Sequence, residues 1–166
     1  MLQVASQHKS HQLIIAGAPS KSEVFYTSYL KNYPEVKLVF DQTYHLLSNS
    51  EAALVTSGTA TLETALFSVP QVVCYKANNL TYQIAKRVVK LDYISLVNLI
   101  LNKGAVVELI QEDFNSNKLA LELENILPNG KRRAQQAEDY QTLHEMLGKG
   151  GASEKTAGLM LKNLHQ

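Results

Sequence analysis

The sequence has no tryptophan, a single cysteine, four prolines and an aromatic content of only 7%. One cysteine excludes an internal disulfide framework and a cysteine-based zinc site. Cys74 lies in the apolar run Val72-Val73-Cys74-Tyr75, so it reads as a small buried hydrophobe with an inert thiol. Excess charge of one sign is lacking too. A formal net charge of +1 supplies no long-range field for nucleic acid or an anionic surface. No run approaches the roughly 18–20 apolar residues of a membrane span. The opening Met1-Leu2-Gln3-Val4-Ala5-Ser6 has no basic region followed by an apolar stretch, so no secretory signal is read there. A soluble, intracellular chain is expected, without a nucleic-acid partner. His8, His11, His45, His144 and His165 are scattered, and no metal or cofactor is assigned.

What is present is enough for one domain: 166 residues, 45% of them hydrophobic, can bury an ordinary core without staples. Short β-rich runs alternate with helical patterns, the signature of a parallel sheet with crossover helices. Gln12-Leu13-Ile14-Ile15-Ala16 is continuously apolar after its first residue and reads as a fully buried strand. Ser20 or Ser22 can cap the next helix, whose Val24, Phe25, Tyr29 and Leu30 repeat at helical spacing. Further strands are expected over residues 36–40, 52–56 and 71–75. Short helices are expected over 43–48, with Leu46 and Leu47 inward, from 57 to about 67, and over 81–90. From about residue 115 the chain reads as helical throughout, over 115–126, 131–147 and 153–164, broken by Pro128-Asn129-Gly130 and by Gly148-Lys149-Gly150-Gly151. The expected organisation is a Rossmann-like α/β domain over residues 1–127, with helices on both sheet faces. A helical extension over 128–166 would pack on it or on a partner. Leu2 to His8 read as the end of a helix, which suggests a chain cut from something longer.

The densest functional signal is Thr56-Ser57-Gly58-Thr59-Ala60-Thr61-Leu62-Glu63. A buried strand stops, a glycine allows close approach, and a helix starts among hydroxyl residues. Unpaired N–H groups and the positive dipole end make such a start receptive to a phosphate. Glu63, one turn further on, is placed to accept from ribose hydroxyls. A second reading stands beside it, in which Ser57 or Thr59 is an N-cap and Glu63 a first-turn carboxylate favoured by the dipole. The turn is neither a P-loop nor a Gly-x-Gly-x-x-Gly fingerprint. Gly17-Ala18-Pro19-Ser20 makes another strand-to-helix turn, a simple loop or a second piece of the same sheet edge. Asn98 is an amide among apolar neighbours; it either bonds backbone or reads a ligand. Lys131-Arg132-Arg133 at a helix start opposes the dipole, so it is either a solvated face or a contact for an anionic partner.

The run from Ala53 to Leu66 resembles bacterial lipid-A-disaccharide synthase, as do Val69-Pro70-Gln71-Val72-Val73-Cys74-Tyr75-Lys76, Ile84-Ala85-Lys86-Arg87-Val88-Val89-Lys90, Tyr93-Ile94-Ser95-Leu96-Val97-Asn98-Leu99-Ile100 and Val107-Glu108-Leu109-Ile110-Gln111. These ordered blocks cover the chain from about Gln12 to Leu127. The resemblance implies an inverting glycosyltransferase of GT-B type, with two Rossmann-like halves around a cleft. It also implies transfer of diacylglucosamine from its UDP-linked donor to diacylglucosamine 1-phosphate. By position, Ser57, Gly58, Thr59 and Ala60 would then meet the diphosphate and Glu63 the ribose. Asn98 and Gly17 would line the donor side.

The family's amino-terminal half, with its acceptor contacts and candidate general base, has no counterpart in this sequence. Neither has its glycine-serine-arginine loop. The chain is therefore expected to be the donor-binding half and not to turn over alone. Peripheral association of the complete enzyme with the cytoplasmic face of the inner membrane is expected from its lipid-like substrates, with Lys86, Arg87, Lys90 and residues 131–133 as candidate contacts, and the polar carboxyl-terminal helices are candidates for a homodimer contact. Alternatives are another UDP-sugar enzyme of GT-B type, an N-acetylglucosaminyltransferase or UDP-sugar epimerase, or a non-catalytic flavodoxin-like binding module.

Overall fold

Four short strands form where they are expected, β1 (Ile14–Ala16), β2 (Lys37–Val39), β3 (Ala53–Thr56) and β4 (Gln71–Tyr75), and a further one, β5 (Val107–Ile110), forms where the sequence reading placed no strand. The protein is represented by a computed structural model that describes residues 1–56, 58–78, 92–148 and 150–164. Eight helices are described: α1 (Leu2–Ala5), α2 (Glu23–Leu30), α3 (Thr43–Ser48), α4 (Thr59–Leu66), α5 (Leu96–Leu101), α6 (Ser116–Ile126), α7 (Arg133–Leu147) and α8 (Ala152–Leu164). The expected helix over 81–90 lies outside the described residues.

β4 is central, paired in parallel with β3 on one edge and β5 on the other, and Gln71 to Cys74 are all buried. Burial on both faces is why its sequence is a continuous run. Side chains alternate across the sheet. Val72 and Cys74 pack with Val4, Leu119, Leu123 and Ile126, while Val73 packs with Ala65, Val97, Tyr140 and Leu143. Helices α1 and α6 therefore cover one face, and α4, α5 and α7 the other. This is the Rossmann-like arrangement of a half GT-B fold, followed by carboxyl-terminal helices.

The structure departs from the sequence reading around β1. Among the described residues the strands form two ladders, β1–β2 and β3–β4–β5. β1 is half-buried with Ala16 exposed, not fully buried, because it has a hydrogen-bonded neighbour only in β2. Helix α2 buries no residue, and Val24 is 79% exposed. Its rings pack on one another instead, Phe25 on Tyr26 and Tyr29, with Tyr26 edge-on to Phe40. The apolar period made a helix; it did not choose what that helix would cover. A contact between His11 Nε2 and Glu51 Oε2 at 2.9 Å brings the amino ends of β1 and β3 together. Both ladders thus start from one edge, and Gly17 and Gly58 follow the carboxyl ends of strands on either side of the break.

The basic cluster 131–133 is mostly used internally. Arg132 pairs with Glu122 at 3.0 Å. The Arg133 guanidinium donates to the carbonyls of Ile126 and Glu51, so it satisfies an orphan carbonyl at the end of α6. Helix α7 buries Gln136, Asp139, Tyr140 and Leu143, and Lys103 holds Asp139 at 2.5 Å. Helix α8 buries nothing. Among the described residues no helix is long and apolar enough to cross a membrane.

Cys74 is buried and free, and burial pushes its thiol up to about 11. A raised thiol favours the protonated form in the fold. The stability this gives is present below the ordinary value near 9 and is lost as pH rises towards 11. At pH 8 Cys74 should resist iodoacetamide in the native chain and react after addition of urea, as read by mass spectrometry. Native labelling as fast as unfolded labelling would contradict this.

Candidate functional site

β3 ends at the exposed Thr56, and Gly58 turns the chain into α4 with φ 141° and ψ −163°. This backbone region is essentially restricted to glycine. A Cβ built there would meet nothing within 4 Å among the described residues. Gly58 is the N-cap, and among the described residues no side chain caps the helix. Ser57 itself lies outside the described residues. Thr59 and Ala60, the first two helical residues, are exposed. The inner hydroxyls are spent locally: Thr61 donates to the Gly58 carbonyl at 2.8 Å and Thr64 to that of Ala60 at 2.7 Å. What faces outward is an open helix start with its positive dipole end.

Glu63 is half-buried and lies in the second turn; the first turn of α4 holds no acidic residue. Dipole stabilisation fades within one turn, so the capping-type explanation of Glu63 loses force.

Gly17 is required by packing. Its Cβ would stand 2.3 Å from the Phe40 ring, and its N–H donates to Val39 at 2.8 Å. It lets β2 close against the end of β1 and so shapes the edge of the break between the ladders.

Asn98, 1% exposed, is committed within the protein. Its Nδ2 donates to the Val106 carbonyl at 2.9 Å and to Glu108 Oε1 at 2.8 Å, and its Oδ1 accepts from the Val106 N–H at 2.9 Å. The two alternatives for this amide thus resolve towards backbone bonding. Glu108, which the sequence reading passed over, also accepts from the N–H groups of Ile94 and Ser95 and from the Ser95 hydroxyl. It braces the start of α5 from inside the sheet, where the Ser95 side chain is the N-cap. A signal was available, since a carboxylate in the apolar run 105–110 needs buried partners. A second buried network joins Gln71, Gln136, Tyr140 and the Thr61 carbonyl, and so fastens α4 to β4 and α7.

Two cavities of about 360 and 350 Å³ both touch His8 and His11. They lie at the amino ends of the strands, away from the Gly58 turn. Ligands of open α/β sheets bind at the carboxyl ends beside a break in strand order, so the turn is the better candidate despite these hollows.

A model of the family described as lipid-A-disaccharide synthetase matches residues 1–162. The chain belongs to that family. Among relatives named lipid-A-disaccharide synthase, the one from Nitrosococcus oceani is 34% identical over 148 residues, covering 89% of this chain and 38% of the relative. That from Geobacter sulfurreducens is 35% identical over 130 residues, 78% of this chain and 34% of the relative. That from Syntrophus aciditrophicus is 40% identical over 128 residues, 77% and 33%. The chain thus spans between a third and two fifths of the length of these family members.

Proposed function

We propose that this chain is the donor-binding half of a glycosyltransferase. The enzyme would join UDP-2,3-diacylglucosamine to 2,3-diacylglucosamine 1-phosphate, releasing UDP and the lipid A disaccharide 1-phosphate. One observation carries the reading: a helix start behind a glycine in a backbone region essentially restricted to glycine, at the carboxyl end of a parallel strand. Family membership supplies the sugar and lipid chemistry. Ser57, Gly58, Thr59 and Ala60 hold the diphosphate through backbone N–H groups. Glu63 accepts from the ribose. Gly17 admits the donor across the break between the ladders, and Asn98 serves by holding Glu108 and the start of α5.

Inverting transfer needs a base for the acceptor hydroxyl and stabilisation of the leaving diphosphate. In this reading the chain performs the second task, and the acceptor and base belong to a companion half. The whole enzyme associates peripherally with the cytoplasmic face of the inner membrane, where its lipid-like acceptor lies. With Arg132 and Arg133 engaged internally, Lys131 is the cation of the 131–133 cluster left for that contact. The exposed apolar side chains of α8, Leu159, Met160 and Leu161, suit a homodimer through the carboxyl-terminal helices.

The test is a calorimetric titration with UDP on the chain and on Glu63→Gln. Loss of the charged acceptor should weaken UDP by about 1.5–3 kcal/mol and leave the urea midpoint unchanged. A fall in stability without a fall in affinity would return Glu63 to a purely structural role. No UDP binding by the unsubstituted chain would remove the donor-site reading.

A further inference from the structure

The connection between α6 and α7 places two structural demands on adjacent residues. Leu127, Pro128, Asn129 and Gly130 close a turn in which the Gly130 N–H donates to the Leu127 carbonyl at 2.8 Å. Asn129 holds φ at +69°, as the third residue of a type II turn must, and glycine or asparagine fills that position after a proline. Gly130 answers to packing instead. A Cβ there would stand 2.3 Å from the Asn125 carbonyl oxygen and 2.5 Å from that of Glu124. The fold thus sets an asparagine directly before a glycine, the one such pair in the sequence.

This pair is chemically reactive. The nitrogen of the residue after an asparagine can attack the carboxamide carbon, and a glycine puts no Cβ in the way. Other asparagines have committed side chains. Asn49 donates to the His45 carbonyl, Asn98 is spent on Val106 and Glu108, and Asn115 donates to the Glu112 carbonyl and accepts from the Lys118 N–H. Asn129 is exposed, and its carboxamide makes no hydrogen bond among the described residues. Loss of its ammonia therefore breaks no contact.

We infer that Asn129 is a modification site, at which the folded chain deamidates through a cyclic imide. The Gly130 nitrogen bonds to Asn129 Cγ, its proton passes to the departing nitrogen, and the Cγ–Nδ2 bond breaks to release ammonia. Water then opens the imide. Cleavage at Cγ leaves aspartate, and cleavage at the main-chain carbonyl leaves isoaspartate, whose backbone is one carbon longer. The hydrogen bond to Leu127 holds the Gly130 N–H, so the reaction waits for the turn to open. A longer turn cannot keep its neighbours in place. The Arg132 N–H donates to the Asn125 carbonyl at 2.9 Å and the Arg133 guanidinium to that of Ile126. Displacing them loosens the start of α7, which carries Gln136, Tyr140 and Leu143 into the core.

The experiment ages the chain and Asn129→Gly at pH 8, with and without urea. Both are read by peptide mass spectrometry, isoaspartyl methyltransferase labelling and urea melts. Glycine accepts the positive φ, so the variant keeps the turn and lacks the amide. In the unsubstituted chain, conversion of amide to acid should appear at Asn129 before any other described asparagine. Methyl label should accumulate there, and the urea midpoint should fall as it does. Ageing in urea should speed the conversion several-fold. Asn129→Gly should gain no label and hold its midpoint. Earlier conversion at another described asparagine, or an intact Asn129 in the native chain beside full conversion in urea, overturns the site. Undiminished label in Asn129→Gly does the same. Equal rates with and without urea overturn the gating by Leu127, and full isoaspartate formation at an unchanged midpoint overturns the link to α7.

Discussion

Gly58→Ala is expected to abolish measurable UDP binding and to destabilise the chain at the same time. The Cβ meets no neighbour, so neither effect comes from a clash. Both come from the backbone. At φ 141° an alanine is strained by about 1–3 kcal/mol, and the chain can relieve this only by turning the peptides that flank the residue. Those peptides aim the leading N–H groups of α4. Each such donor to a phosphate is worth about 1.5–3 kcal/mol, so misaligning two of them lowers affinity on the order of a hundredfold or more. Thr59→Ala is the control, because Thr59 is exposed and already helical. It should shift neither stability nor affinity comparably. Calorimetry with UDP and a urea melt on both variants decide the matter. Full affinity in Gly58→Ala would mean that the turn does not present its amides to the ligand.

Asn98→Asp is expected to be worse than Asn98→Ala, although aspartate is nearly isosteric. Alanine leaves the Val106 N–H and carbonyl unpaired and removes one of the donors to Glu108. At about 1–3 kcal/mol for each buried group left unsatisfied, the loss is about 3 kcal/mol or more. Aspartate keeps the acceptor for the Val106 N–H. However, it sets a carboxylate against a carbonyl oxygen and against Glu108 Oε1, where asparagine placed a donor. Two carboxylates at that separation do not both ionise readily. Stability of Asn98→Asp should therefore rise as pH falls and one proton is shared, whereas Asn98→Ala should show no such recovery. Urea melts at pH 7.5 and pH 5 make the comparison. Equal stability of the two variants at both values would show that Asn98 does not face Glu108 as described.

These expectations rest on different kinds of legibility. Val72, Val73 and Cys74 announce a strand because a continuous apolar run leaves no room for polar alternation, and the structure shows that strand to be central. The strand-glycine-helix turn at Gly58 was visible because only a few residue types tolerate that backbone. The four expected strands and the long α6 and α7 followed from periodicity for the same reason: local steric and apolar patterns are written residue by residue. The family, too, was legible, since its blocks lie in order along the chain.

Partnership was not. Nothing local to Val24 or Tyr29 tells α2 that its apolar residues will stay outside the core, or splits β1–β2 from β3–β4–β5. What braces a helix end beyond its local cap likewise depends on groups distant in sequence. Glu108 reaches α5 from the neighbouring strand, Arg133 closes α6, and Gln111 holds Ala77 across 34 positions. The sequence by itself determined the first four strands, the helices that follow residue 115 and the Gly58 turn, because these depend on the conformational limits of a few adjacent residues. Only the tertiary structure decided that Asn98 is spent on Val106 and Glu108, and that Gly58 stands at the N-cap position of α4. Such facts depend on strand register and on hydrogen bonds that form only once distant segments meet.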